Sequence, residues 1–200
     1  MAAVPTPTTT DGRTARAQRT RAAVVAALLA LLQEGNPRPT AKEIAERAGV
    51  SLRSVYVHFD DVEDLFHEAA REAQRELSKI VEVLPSDGPL STRLDRFVTQ
   101  RVRVWEQLGP VRRAAALQAP FSDALRELLD RGRSMSRSEI EHVFGAELDG
   151  RAEALAAVEL ASSAEAWDQL RNHQGLGVTT ATAVVRVMLE RVLGVGAQPK

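Results

Sequence analysis

The chain contains no cysteine, which rules out a disulfide framework and any thiolate metal site. Nor is there an apolar run of the roughly 18 to 20 residues that a membrane span requires. The stretch from Ala22 to Leu32 is too short for that and fits a buried helix. Thr and Pro crowd the N-terminus where a signal peptide needs an uninterrupted apolar core, so no export is expected and a cytoplasmic location is the simplest reading. Catalytic signatures are missing as well. His58, His67, His142 and His173 are scattered over separate segments, without a His-x-x-x-His or His-Glu-x-x-His zinc pattern, a Gly-x-Ser-x-Gly elbow or a Gly-rich phosphate loop. Neither enzymatic activity nor a bound metal or cofactor is expected. The net charge of −1 argues against bulk polyanion binding.

What is present is an ordinary globular composition, 44% hydrophobic and 26% charged over 200 residues. That length allows one domain, or two small ones sharing a helix, with enough chain to bury a core. The charge is unevenly spread. Met1 to His58 carries Arg13, Arg16, Arg19, Arg21, Arg38, Lys42, Arg47 and Arg53 against only Asp11, Glu34, Glu43 and Glu46, a balance of +4, and the remainder stands at −5. A basic head on an acidic body suits DNA held at one end, because phosphate contacts supply most of the affinity. The arginines from Arg13 to Arg21 are either a solvated basic face or a clamp on phosphates.

Residues 1–13, MAAVPTPTTTDGR, lack periodicity and read as a disordered tail. From Thr14 the pattern is helical, with Val24, Val25, Leu28, Leu29 and Leu32 at three- and four-residue spacing up to Gly35. Asn36-Pro37-Arg38-Pro39 breaks the chain. Thr40 and Glu43 then form a Thr-x-x-Glu capping box, so a helix starts near Ala41, and Gly49 ends it where a left-handed residue is needed. Ser51 can cap a second short helix in which Leu52, Val55, Tyr56 and Phe59 keep helical spacing. Two short helices around a Gly-containing turn make a helix-turn-helix, whose second helix fits a DNA major groove. On that helix Arg53, Ser54 and Val57 face away from the apolar stripe. The Arg53 guanidinium can donate two hydrogen bonds to O6 and N7 of guanine.

This block resembles the tetracycline-repressor (TetR) family of bacterial transcription regulators. The resemblance is carried by Ile44-Ala45, Ala48-Gly49-Val50-Ser51, Val55-Tyr56, His58-Phe59 and Leu65-Phe66, over the first third of the chain. One departure is Val62, within Asp60-Asp61-Val62-Glu63-Asp64, where the family has a lysine. The resemblance implies base contacts from Leu52, Arg53 and Ser54 beside Ser51, and phosphate contacts from Thr40, Tyr56 and His58. Each has a structural alternative: Tyr56 as a packing ring, His58 as a local hydrogen-bonding group, Thr40 as a cap. The acids opening the next helix complement its dipole and would repel DNA if they faced it.

The rest reads as helices throughout, with no strand-like alternation. Leu65 to Leu84 continue one helix of about six turns, spanning from head to body. Then come Ser91 to Leu108, a short helix opened by Pro110 to about Gln118, a longer one from Ser122 through Phe144, Arg151 to about Asn172 with Asp149 as cap, and Ala181 to Leu193 capped by Thr179 or Thr180. The expected fold is all-α with about nine helices: a helix-turn-helix DNA-binding domain over 14–60 and a helical ligand-binding and dimerisation domain over 61–200, joined through helix 61–84. By resemblance the body holds a small-molecule effector pocket, with Phe97, Arg101, Trp105, Phe121, Met135, Phe144 and Trp167 as candidate lining. Against this, aromatics at helical spacing are more often core, and Arg101 on an apolar face can pair with an acid, reach to water or hold an anionic ligand. Dimerisation is expected through the last two helices. The expected function is a sequence-specific DNA-binding regulator, a ligand-responsive repressor acting as a homodimer on a palindromic operator. The alternative is a helical sensor or interaction protein with weakened DNA binding.

Overall fold

In the computed structural model, which describes the backbone of residues 9–195 and the side chains of residues 14–195, every regular element is a helix. The order is α1 (Thr9–Gln33), α2 (Ala41–Ala48), α3 (Leu52–His58), α4 (Val62–Ser78), α5 (Leu90–Gln118), a 3-10 turn (Ala119–Phe121), α6 (Asp123–Leu148), α7 (Ala152–Ala161), α8 (Ala164–Asp168), a π-helical turn (Gln169–His173) and α9 (Val178–Leu193). The chain divides into two compact units, Met1–Glu76 with Pro110–Leu125, and Leu77–Gly109 with Arg126–Lys200. Helix α1 begins at Thr9, ahead of the expected start at Thr14; residues 1–8 of the expected tail lie outside the described residues.

In the first unit, α1 buries Val24, Val25, Leu28 and Leu32, and α2 and α3 add Ile44, Ala45, Val55 and Phe59. The capping box forms as the sequence requires: the Glu43 amide donates to Thr40 Oγ1 at 3.2 Å, and the Thr40 amide donates to Glu43 Oε2 at 2.7 Å. Gly49 closes α2 with φ of 67°, so that the Val50 amide can reach back to the Ala45 carbonyl at 3.0 Å. A side chain there would strain the left-handed backbone.

The second unit has a core of Leu94, Phe97, Val98, Trp105, Ile140, Phe144, Val158, Trp167, Val185 and Leu189. Phe97 and Phe144 meet edge to face with centroids 5.1 Å apart, an arrangement favoured by their quadrupoles. Helix α6 kinks at Phe144 (φ −122°, ψ 16°), next to Gly145. A kink releases helical carbonyls, and a buried carbonyl needs a donor. Arg93 supplies it: its Nη1 donates to the Val143 carbonyl, its Nε to the Gly88 carbonyl at 3.1 Å, and the guanidinium pairs with Glu147.

Four expected helix boundaries are corrected. Helix α4 stops at Ser78 instead of Leu84. Beyond it Ile80, Val81 and Val83 are β-branched and poor helix formers, and the Gln100 side chain captures both the amide and the carbonyl of Glu82, at 2.9 and 3.1 Å. Helix α5 runs through Pro110 instead of breaking at Gly109. Proline removes one helical hydrogen bond and crowds the Cβ of the residue before it, but Gly109 has no Cβ to crowd. The expected helix 151–172 is interrupted at Ser162 and Ser163. Ser162 Oγ bonds back to the Val158 carbonyl at 2.7 Å, and Ser163 Oγ caps α8 through the Ala166 amide at 3.0 Å. Helix α9 starts at Val178, so Thr179 and Thr180 lie inside it.

The Arg93 web gives a test of what holds the second unit together. Arg93→Ala removes one partner of a buried pair and should cost about 3–5 kcal/mol in urea unfolding; a loss well under 1 kcal/mol would show that the web contributes little. The hydrogen bond from Arg93 holds the Glu147 carboxyl below its ordinary value of 4.5. Its contribution is therefore complete above that value and fades as pH falls through the lower folded value. Part of the wild-type acid sensitivity below pH 4.5 should disappear in the variant.

Candidate nucleic-acid interface

Helix α3 is seven residues long, too short to be stable by itself, so its position is set by capping and packing. At its start Ser51 Oγ accepts from the Ser54 amide at 3.1 Å and lies 2.9 Å from Ser54 Oγ. On its inner side Val55 is buried, with Phe59 just beyond. At its end the Arg21 guanidinium of α1 donates from Nη1 to the His58 carbonyl at 2.6 Å, and its Cζ lies 4.4 Å from the centre of the Phe59 ring. Nη2 of the same group reaches Glu68 of α4 at 3.4 Å. One cation thus ties α1, α3 and α4 together. Burial works against ionising Glu68, but Arg75, Arg21 and Arg71 outweigh it and hold the carboxyl below its ordinary value.

The opposite side of α3 is open. Tyr56 is 53% exposed and Val57 69% exposed, and Leu52 and Arg53 stand beside them at the surface. Arg53 has no hydrogen bond or ion pair among the described residues, and Arg16, Arg19 and Arg38 likewise make no side-chain bond there. Other head cations are engaged. Arg47 grips Glu34 with both terminal nitrogens, at 2.5 and 3.1 Å, and Lys42 lies 3.9 Å from Glu46. A guanidinium with five donors and nothing to donate to, on a helix face with exposed apolar neighbours, is equipped to read a base edge.

The expected DNA-contacting residues lie on α3 and at the start of α2, with different degrees of freedom. Leu52, Arg53 and Tyr56 are exposed and uncommitted. Ser51 and Ser54 spend part of their hydrogen-bonding capacity on each other, and Thr40 Oγ1 donates to Glu43 Oε2 at 2.6 Å. His58 is half-buried and its carbonyl is occupied by Arg21. Of the basic residues read as a possible phosphate clamp, Arg21 is corrected to a positioning group. The sequence held a signal for this, since Arg21 lies four residues before Val25 and seven before Leu28, on the buried stripe of α1. Asp61 Oδ1 caps α4 by accepting from the Asp64 amide at 2.8 Å, which gives the acidic cluster a structural role.

The residues expected to line an effector pocket are divided between the two units. Phe121 lies in the first unit and is 83% exposed, and Met135 is a surface residue of the second. Phe97, Arg101, Trp105, Phe144 and Trp167 are buried in the second unit with their polar groups satisfied. Trp105 Nε1 donates to the Ser162 carbonyl at 3.0 Å and Trp167 Nε1 to Glu106 at 2.9 Å. Arg101 stacks on Phe97 and Trp105, donates to Ser136 Oγ at 2.7 Å and pairs with Glu139. Burial pulls its guanidinium below the ordinary value and Glu139 acts in the other direction. Of the three readings of Arg101, pairing with an acid is the one the contacts support.

These features define a helix-turn-helix DNA-binding head joined to a second helical unit. Residues 24–69 match the family model of the bacterial regulatory proteins of the tetR family. No match is found among curated proteins. Solved structures share the fold at low identity. A tetR-family transcriptional regulator from Streptomyces coelicolor is 22% identical, with a TM-score of 0.63 over 88% of this chain and 89% of that one. A transcriptional regulator from Rhodococcus sp. Rha1 is 18% identical, with a TM-score of 0.61 over 92% and 99%. A TetR transcription regulator from Haloarcula marismortui is 14% identical, with a TM-score of 0.65 over 88% and 96%.

The positioning role of Arg21 separates it from Arg53 by experiment. Arg21→Gln should lower folding stability by about 1–3 kcal/mol, the range for a charge-assisted hydrogen bond, and weaken DNA binding with it. Arg53→Ala should leave the unfolding temperature unchanged. Equal thermal stability of the two variants would contradict the assignment.

Proposed function

We propose that the chain acts as a homodimer on a two-fold symmetric operator, represses transcription there, and releases the DNA when a small molecule binds the second unit. The observation that carries the reading is the outward face of α3, where Arg53 is at the surface with no hydrogen bond or ion pair among the described residues. A single such helix reads too few base pairs for an address in a genome, whereas two, related by a two-fold axis, read half-sites about 10 base pairs apart or a multiple of that.

The last helices support the dimer. Helix α7 buries Val158 and Ala161 on one side and leaves Ala152, Ala156 and Leu160 exposed on the other. Exposed aliphatic residues on the side of a helix away from the core are available to a partner. Helix α9, which packs beside α7, buries Ala181, Val185 and Leu189 and exposes Ala183 and Val187. Two copies of this surface meeting across a two-fold axis would form an isologous interface. For effector release, a ligand must favour one arrangement of the dimer over another by its differential affinity. A molecule entering among Phe97, Arg101 and Trp105 would have to open the pair of Arg101 with Glu139.

Fluorescence anisotropy on duplexes bearing the selected operator tests the reading. Arg53→Ala should cost about 1–3 kcal/mol and relax preference at one base position per half-site, with affinity falling steeply as salt rises. Uniform weakening on all duplexes would make Arg53 a phosphate contact instead. Leu160→Glu combined with Val187→Glu should give a folded monomer by light scattering with much weaker operator binding. A dimer that survives both changes would place the interface elsewhere.

A further inference from the structure

Residues 82–85, beyond the end of α4 and outside any regular element, form with α5 a groove of about 420 Å³ in the second unit. That volume lies within the range of small-molecule sites, roughly 300–1,000 Å³. The Gln100 amide fixes one wall. It is buried, it holds the Glu82 backbone from both sides, and its Nε2 also donates to Glu139 at 2.7 Å. The other wall is the outer face of α5, where Arg96, Thr99 and Arg103 follow one another at three- and four-residue spacing, a single stripe on a helix.

The charge of this groove is not balanced within the protein. Elsewhere in the second unit Arg93, Arg101, Arg137, Arg171 and Arg186 each pair with a carboxylate. Arg96 and Arg103 are lining residues with no ion pair or hydrogen bond among the described residues. The acid nearest in sequence, Asp95, is taken by Arg186 of α9, which leaves Glu82 as the one uncommitted carboxylate among the lining residues. Val83, also a lining residue, is 92% exposed and offers an apolar surface. Two arginines seven residues apart on one helix have their Cα atoms about 10 Å apart along its axis. Their side chains can hold two anionic groups at the ends of a short apolar stem, and each contact would be a charge-assisted hydrogen bond.

We propose that this groove binds a small linear organic dianion of the dicarboxylate class, one anionic end on Arg96, the other on Arg103, with the stem over Val83. As the effector site of the regulator the groove rests on the reading given above; as a binding site it does not. Its consequence for DNA release follows from connectivity, because the wall that the ligand covers is the chain emerging directly from α4.

Adipate, with hexanoate and the matching diol as controls, tests the proposal on the full-length protein by calorimetry and by backbone amide shifts. Adipate should bind saturably and shift Val83, Arg96, Thr99 and Arg103, hexanoate should bind about tenfold more weakly, and the diol should not bind. R96Q and R103Q should each weaken adipate about tenfold while leaving thermal stability and ligand-free operator binding unchanged. Adipate binding that is absent, that survives in the double variant, or that shifts residues outside the groove overturns the proposal. Saturable adipate binding in the groove by a protein that binds no operator would overturn the regulatory reading and leave the site standing. Operator binding without adipate binding would do the reverse.

Discussion

The Arg21 guanidinium is the contact on which the DNA-binding head depends. A seven-residue helix has too few internal hydrogen bonds to hold a direction in water. The cation of α1 fixes it by lying over Phe59, donating to the last carbonyl of α3 and reaching the Glu68 carboxylate of α4. Neither the ring nor the carbonyl would suffice alone: an aromatic face attracts a cation without aiming it, and a carbonyl aims it without holding the plane. Together they leave α3 one orientation, with Val55 and Phe59 inward and Arg53 outward. Specific recognition asks for this, because a base-reading side chain on a wandering helix would lose in ordering entropy what it gained in hydrogen bonds.

The second unit meets a different demand, the burial of charge. Arg93 and Arg101 are both buried, and both are satisfied on every side by what the local structure frees or offers. The kink at Phe144 turns a helical carbonyl toward Arg93, and Glu147, one turn further on, neutralises it. Arg101 lies between two aromatic rings and is neutralised by Glu139, to which Gln100 also donates. Gln100 in turn holds the extended chain that follows α4. The segment that follows α4, the groove it lines and the buried pair of Arg101 on α5 with Glu139 on α6 are therefore linked by one run of hydrogen bonds.

The sequence made the head legible because its signals are local. Thr40 and Glu43, Gly49 and Ser51 each act over three or four residues, and each does in the structure what its spacing requires. The body was less legible because its boundaries are decided by distant partners. Helical periodicity runs on past Ser78, but β-branched residues and the Gln100 side chain, eighteen residues from Glu82, pull the chain out. Gly109 reads as a stop and Pro110 as a new helix start until Gly109 is seen to relieve the crowding. Ser162 and Ser163 divide one apolar run into two helices by bonding to the backbone, a possibility that composition does not reveal. For the effector residues, aromatic spacing pointed to Phe97, Trp105 and Phe144, which became core. The open groove is lined by Arg96 and Arg103, which make no ion pair or hydrogen bond among the described residues, and only three-dimensional placement can establish that.

The central claim is that α3 presents its open face to base-pair edges, twice per assembly. Selection of bound duplexes from a random pool, with the purified full-length protein at rising salt, tests it most directly. The account predicts enrichment of an inverted repeat whose halves lie about one or two helical turns apart, with binding that weakens steeply as salt increases. A pool that stays random after repeated rounds, or that converges on a single unrepeated element bound by a monomer, would contradict it.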